Sequence, residues 1–315
     1  MNKINNSTNS FSKVAICLAV YNGEKYLETQ IESILKQDYE SWHLYIRDDG
    51  SQDKSLSIIK AKEKEYPDKI TDLSHLPGGG NASNNFFTIL KWLKVNKNYD
   101  FFMLSDQDDF WLPNKITKSL GAFKNQVGPV LVHTDLRVVD QNLTILSNSY
   151  AEFNKLQMKN DALSDLLVQN KVTGCTMMWN RELNEIIDYN HVSKALMHDW
   201  WIALIAASFG KIIYVDTPTV LYRQHNSNVV GAKKKTLFTY LTSLNSVQES
   251  INRSIKQASS FYEIYSTRLS QPKAMLIKTY GDIKKNNKVR RLLLIFKLKL
   301  VRRNTLERLG QVLYI

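Results

Sequence analysis

Asp106, Asp108 and Asp109 put three carboxylates within four residues, in the order Ser105-Asp106-Gln107-Asp108-Asp109, directly after the apolar run Tyr99 to Leu104. Folding gives no reason for a strand to end this way. Like charges crowded together raise one another's pKa unless a cation or a ligand holds them. Hard oxygen ligands of this kind suit Mg²⁺ or Mn²⁺, which are often bound by one or two carboxylates plus substrate phosphates. A lone D-x-D is more often a solvated acidic turn, so its meaning depends on what the chain places beside it.

Two other sets of residues could share that chemistry. Asp48-Asp49-Gly50-Ser51 offers carboxylates that can accept hydrogen bonds from a base or from ribose hydroxyls. Read alone, it is an Asp/Gly turn ending a strand. His198-Asp199-Trp200-Trp201 joins a carboxylate to two aromatic faces. Aromatic rings stack on sugars, and a carboxylate among them could act as a general base, although an Asp in a first helical turn is also stabilised by the helix dipole. His225, in Tyr222-Arg223-Gln224-His225-Asn226, could reach a metal only because the acidic cluster makes one plausible. Gly78-Gly79-Gly80 matches neither a P-loop nor G-x-G-x-x-G, since no Lys-Ser/Thr follows and no helix start is correctly spaced. It reads as a flexible loop, with a weaker alternative in which its backbone approaches a phosphate or ribose.

The elements that must position these residues alternate strand and helix. Lys13 to Val20 is a buried-strand run, and Glu24 to Gln37 carries Leu27, Ile31, Ile34 and Leu35 at helical spacing. Trp42 to Arg47 is a second strand. Asp53 can cap the helix that follows, with Leu56, Ile58 and Ile59, which ends near Pro67. Ile70 to Ser74 is a short third strand, Asn85 to Leu93 a helix, and Tyr99 to Leu104 the strand feeding the acidic cluster. This βαβαβαβ order predicts a parallel α/β sheet, whose ligands gather at the carboxyl ends of the strands. Ala19-Val20-Tyr21-Asn22, Asp48-Asp49-Gly50-Ser51 and the Asp106 cluster all fall at such ends. Further on, Val130 to Val139, Val172 to Trp179, Lys211 to Val215 and Thr219 to Arg223 read as strands, and Met197 to Phe209 as a helix.

Charge divides the chain. Residues 233–315 hold 18 Lys+Arg against 4 Asp+Glu, whereas the whole chain carries +12, which leaves the front near −2. A near-neutral globular body is therefore expected over residues 13–231, behind a polar, disordered tail at 1–12 and ahead of a basic, mainly helical region at 232–315. The two cysteines, Cys17 and Cys175, sit in apolar surroundings and suggest no disulfide framework. Met1 to Ser12 has no apolar core, so it does not read as a signal peptide, and no run approaches the ~20 apolar residues of a spanning helix. The expectation is a cytosolic protein.

The ordered set A-V-Y-N, D-D-G-S, S-D-Q-D-D-F-W-L-P-N-K, T-G-C-T and H-D-W-W resembles the family 2 glycosyltransferases, over about residues 13–231. H-D-W-W with Y-R-Q-H-N-S-N-V-V-G is most similar to the bacterial rhamnosyltransferase branch, which builds surface polysaccharides. The resemblance implies a GT-A fold, a Rossmann-like mixed sheet, here with a C-terminal helical appendage. It implies inverting, metal-dependent transfer, with Mg²⁺ or Mn²⁺ as cofactor and dTDP-L-rhamnose as the donor. It also implies roles. Ala19, Tyr21, Asn22 and Asp48 or Asp49 would hold the base and ribose, with Asp109 beside the donor. Asp106 would face the ribose or metal, and Asp108 would bind the cation that bridges the diphosphate. Asp199 would be the catalytic base, Trp200 and Trp201 would stack on acceptor or sugar, and His225 would reach the metal or diphosphate. His198 stands where many members carry an acidic residue, so the base rests on Asp199 alone. A UDP-hexose or UDP-amino-sugar donor is the alternative within the same fold.

Residues 284–313 mix basic side chains with Leu292 to Phe296, Leu298 and Leu300. A basic amphipathic helix at the cytoplasmic membrane surface fits, placing the enzyme beside a lipid-linked glycan acceptor. Packing of Leu292 to Val301 on the catalytic domain, or on a second subunit in a homo-oligomer, fits equally. Nucleic acid is not an expected partner, since no reading module accompanies the charge. Two readings from other classes are a non-catalytic binding or scaffold protein that keeps the fold and a basic peripheral membrane-binding or RNA-binding protein.

Overall fold

The computed structural model describes residues 12–154, 158, 162–224 and 244–315. The predicted tail, apart from Ser12, and the 231/232 boundary lie outside them. Four strands, β1 (Val14–Val20), β2 (Trp42–Asp48), β3 (Ile70–Asp72) and β4 (Phe101–Ser105), form a parallel set in the order β3-β2-β1-β4. Beyond β4 the sheet is mixed. β8 (Met177–Asn180) runs antiparallel to both β4 and β6 (Val130–Val139), while β9 (Lys211–Arg223) runs parallel to β6. β5 (Phe110–Trp111) closes the edge against β9, and β7 (Ile145–Ser147) pairs with β6. The parallel alternation thus describes only the front half, and the mixed GT-A-type sheet describes the whole.

The central strands β1 and β4 are apolar on both faces because both faces are covered. On β1, Val14, Ile16, Leu18 and Val20 pack with α1 (Leu27–Leu35), with Ile59 of α2 (Ser55–Glu65) and with Ile116 of α4 (Lys115–Gly121). Ala15 and Cys17 point the other way, towards α3 (Ala82–Asn96), α6 (Leu163–Val168) and α8 (His198–Phe209). Two short helices complete the body, α5 (Tyr150–Phe153) and α7 (Arg181–Ile186).

Several predicted elements shift. Asp53 lies one residue before the α2 cap, its carboxylate accepting the N–H groups of Ser55 and Glu24. Val172 to Trp179 is not one strand: Gly174–Thr176 form a 3₁₀ turn and only the part from Met177 onward pairs. The two runs at 211–215 and 219–223 are one strand, β9, bent by register shifts against β6. α3 starts at Ala82, with the Asn81 side chain accepting the Asn84 N–H at 2.9 Å. The triple-glycine segment therefore leads straight into a helix. A Cβ on Gly79 would lie 2.7 Å from the Asn85 nitrogen, so the loop is pressed onto the helix start, not free.

The C-terminal helices share this core. α9 (Leu244–Tyr265) lays Val247, Ile251, Ile255, Ala258, Phe261 and Tyr265 against it, and α10 (Gln271–Gly281) packs on α9. α11 (Lys288–Lys297) and α12 (Thr305–Tyr314) follow, with Ile295 and Leu300 fully buried. Arg303 ion-pairs with Asp165 of α6, which also faces Lys171. If this hairpin folds with the body, Ile295→Ala should lower the unfolding free energy by roughly 2–4 kcal/mol in one cooperative transition. The exposed Leu293→Ala should change it by about 0.5 kcal/mol or less. A separate low-temperature transition in the Ile295 variant would show that the hairpin folds on its own.

Candidate active site

The loops at the carboxyl ends of β1, β2 and β4 are bound to one another by side chains. Gln107 accepts the Tyr21 N–H at 2.8 Å and donates to the Tyr21 carbonyl at 3.0 Å, tying the acidic turn to the end of β1. Asn22, at φ 49°, accepts the Gln52 N–H through its side chain, and its own N–H reaches the Ser51 hydroxyl at 2.7 Å. Ala19 lies in register with Arg47, and the Tyr21 ring is 57% exposed at the rim. Asp48 folds its carboxylate onto its own turn, accepting from the Gly50 and Ser51 N–H groups and the Ser51 hydroxyl. Asp49 pairs with buried Arg47 at 3.0 Å and accepts the Gly79 N–H. Both aspartates thus have a structural occupation at the end of β2.

The acidic turn is held from beneath. Arg223, the last residue of β9, donates its backbone N–H to Asp109 at 3.2 Å and its Nε to the Asp108 carbonyl at 2.8 Å. Its guanidinium also lies 4.4 Å from the centre of the Tyr26 ring. Asp109 is fully buried, and its Oδ2 has no hydrogen-bond partner. Burial, then Asp108 and Asp106, drive its pKa well up. Lys115 is buried nearby with its ammonium 4.7 Å from the Trp111 ring centre, and burial pulls its pKa down to about 8 despite Cys175 and Asp109.

Asp106 is the point of convergence. Burial, then Asp108, then Asp199 push its pKa up to about 7. Residues more than ninety positions apart in the chain therefore meet here. Asp199 opens α8, where its carboxylate accepts the Trp200 N–H at 2.6 Å. Burial raises it to about 6, against hydrogen bonds that include Gly174 and Asn170. The 3₁₀ turn of T-G-C-T is the wedge between these acids. A Cβ on Gly174 would come within 2.9 Å of the His198 Nε2 and 3.4 Å of the Asp199 Cβ, so only glycine permits this approach. One residue on, Cys175 places a ligand-type atom within 4.8 Å of those of Asp106 and Asp109. Its surroundings are therefore not wholly apolar, although it is buried and, like Cys17, free.

The chain belongs to glycosyltransferase family 2. The Glycosyl transferase family 2 profile matches residues 15–187, more than half of the sequence. A dTDP-rhamnosyl transferase, RfbG of Shigella flexneri, is 29% identical over 224 residues, covering 68% of this chain and 74% of that protein. WfgD of Escherichia coli, a UDP-Glc:α-D-GlcNAc-diphosphoundecaprenol β-1,3-glucosyltransferase, is 27% identical over 162 residues, 49% of this chain and 58% of that one. Among solved structures, residues 1–349 of S. aureus TarS superpose with a TM-score of 0.53 at 15% identity, covering 96% of this chain and 78% of that one. The fold is thus of GT-A type and the chain is a nucleotide-sugar glycosyltransferase of this family.

Not every predicted site residue reaches this centre. Trp201 is 0% exposed, packed 5.2 Å from the Phe261 ring and 6.2 Å from Tyr265, so it is core and offers no face to a sugar. Trp200 is only half-buried, its indole N–H bonded to the Leu166 carbonyl. His198 is buried against Phe86 at 4.2 Å and held neutral, its pKa lowered by burial to about 3. His225 lies outside the described residues. Sequence reasoning missed Gln107, Lys115, Arg223 and Cys175. Arg223 left one signal, a cation ending a strand beside a polar run.

Asp106 binds its proton near 7 in the folded chain and at 3.8 ordinarily. The folded state therefore holds more protons between those values, and stability falls as pH rises through that window. Asp106→Asn should raise the melting temperature at neutral pH in the absence of divalent cations, with the gain vanishing near pH 4. An unchanged or lower melting temperature at neutral pH would show that the acids do not strain the fold.

Proposed function

We propose that the chain is an inverting, metal-dependent glycosyltransferase that moves L-rhamnose from dTDP-L-rhamnose onto a growing glycan, carried on a lipid at the cytoplasmic membrane, in bacterial surface polysaccharide synthesis. The observation that carries this is the meeting of two distant elements at the Gly174-Cys175 turn: Cys175 lies within 4.8 Å of the ligand atoms of Asp106 and Asp109, and a Cβ on Gly174 would stand 3.4 Å from the Asp199 Cβ. The donor assignment rests on the likeness to RfbG, and the lipid-linked acceptor on the name of WfgD.

The residues present fit a divalent cation. Asp106 and Asp109 bring together carboxylate oxygens, which hard ions prefer, one buried Asp109 oxygen lacks a hydrogen-bond partner, and the Cys175 thiol lies beside them. Asp108 and Asp106 would hold Mg²⁺ or Mn²⁺, which supplies Lewis-acid stabilisation of the diphosphate leaving group. Asp109 and Arg223 set the turn that presents those two acids. Ala19, Tyr21, Asn22, Asp48 and Asp49 line the end of the sheet where the nucleoside would lie, and the exposed ring of Tyr21 is free to stack on it.

Asp199 accepts the proton of the acceptor hydroxyl as that oxygen attacks the anomeric carbon. The bond from that carbon to the diphosphate oxygen breaks on the opposite face, and its electron pair leaves with the nucleoside diphosphate. One displacement gives inversion. A carboxyl raised to about 6 is still ionised at neutral pH, and it is more basic than an ordinary aspartate. Half-buried Trp200, the next residue in the chain, would touch the sugar.

A UDP-hexose or UDP-amino-sugar donor is the second reading, favoured by the likeness to WfgD, a UDP-glucose-dependent glucosyltransferase. Purified protein with Mn²⁺ and a glycan acceptor should release dTDP from dTDP-rhamnose and leave UDP-glucose and UDP-N-acetylglucosamine intact. Release from a UDP-sugar alone would overturn the donor. Asp199→Asn should lower transfer by roughly a hundredfold to ten-thousandfold with donor affinity unchanged. A comparable loss of donor affinity would remove Asp199 from the role of base.

A further inference from the structure

We propose that the paired helices α11 and α12 form a docking face for an anionic membrane, with Val289, Leu293, Phe296, Leu309 and Leu313 entering the interface and a rim of Lys and Arg meeting the headgroups. This deepens the membrane part of the reading above. It is independent of the sugar chemistry, because binding to vesicles is read without any donor.

A helix packed on a folded body turns its apolar stripe inward and its polar residues outward. α11 does the first and reverses the second. Its inner side buries Ile295. Its solvent pole carries Val289, Leu293 and Phe296 at i, i+4 and i+7, and they are 69, 65 and 54% exposed. Exposed Arg290 and Lys297 lie on one flank of that ridge and Lys288 on the other. α12 repeats the arrangement: Gly310 and Gln311 face inward, while Leu309 and Leu313 stand 57 and 64% exposed.

The two ridges lie side by side. Lys288 donates to the Leu313 carbonyl, and Arg291 donates to the Ile315 carbonyl at 3.2 Å, so the start of α11 meets the end of α12. Gln311 closes the hairpin on the Leu300 carbonyl and the Arg302 N–H. The Arg303–Asp165 pair then fixes it to α6, whose Leu166 carbonyl holds the indole of Trp200. The face is thus linked through α6 to α8, whose first turn carries Asp199.

Charge selects the occupant. Residues 284–315 hold ten Lys+Arg and a single acid, Glu307. Lys284, Lys285, Lys288, Arg290, Lys297, Lys299 and Arg308 are exposed around the ridge. A second copy of the chain would bring this cationic rim onto itself across a twofold axis, which like-charge repulsion opposes. A leaflet rich in anionic lipid attracts the same rim, and its acyl boundary receives the apolar ridge. Among the described residues no helix is long and apolar enough to cross a membrane, so the contact is interfacial.

The test is co-sedimentation of the full chain with vesicles of phosphatidylcholine alone and of phosphatidylcholine mixed with phosphatidylglycerol. The expected result is binding to the mixed vesicles only, weakening with salt. It should fall roughly thirtyfold in Arg290→Ala/Lys297→Ala, two cations at about 1 kcal/mol each. It should disappear in Leu293→Glu/Phe296→Glu, with melting temperature unchanged because both residues are exposed. Absence of binding, equal binding to neutral vesicles, or full binding by the Glu variant would overturn the proposal. A dimer in light scattering that the Glu variant converts to monomer would also overturn it, assigning the face to a second copy.

Discussion

The repulsion among carboxylates at the carboxyl end of β4 is the constraint around which this chain is arranged. Asp106, Asp108 and Asp109 come from one turn, and Asp199 is brought to them from the start of α8. Burial raises the cost of charging Asp106, Asp109 and Asp199. What the fold supplies is fixation. Arg223 holds the turn by its backbone N–H on the Asp109 carboxylate and its Nε on the Asp108 carbonyl, and Gln107 ties it to the end of β1. A site that stores repulsion in this way is stabilised by whatever positive charge it binds, which is the behaviour expected of a cation-diphosphate site.

The sheet explains how such distant residues meet. Parallel strands all end on one side, so the loops after β1, β2 and β4 gather without special design. The antiparallel insertion of β8 then brings the T-G-C-T turn to the same edge from the other direction. Gly174 and Cys175, neighbours in sequence, face Asp199 and the Asp106–Asp109 pair respectively. The turn is therefore the spacer between Asp199 and the acidic cluster.

Much of this was legible in the sequence. The front strands announced themselves as continuous apolar runs, and β6 was read with its observed ends because both its faces are buried. The three strand-end motifs followed from the alternation of strand and helix. Three kinds of feature were not legible. The mixed half of the sheet depends on pairings between segments dozens of residues apart, which local periodicity does not encode. Trp201 beside Trp200 looked like a sugar platform, but successive helical residues lie about 100° apart, and one of the pair had to face the core against Phe261. Arg223 and Lys115 act through tertiary contacts that spacing alone could not announce.

The claim on which the account depends is that the acidic turn binds a diphosphate through a divalent cation. Isothermal titration of dTDP into the protein, with Mn²⁺ and then with a chelator, tests it most directly, in the wild type and in Asp108→Asn. The account predicts tight binding in Mn²⁺ that is lost with the chelator and sharply weakened by the substitution. Equal affinity under all these conditions would contradict it, because the carboxylates would then hold no cation that the diphosphate needs.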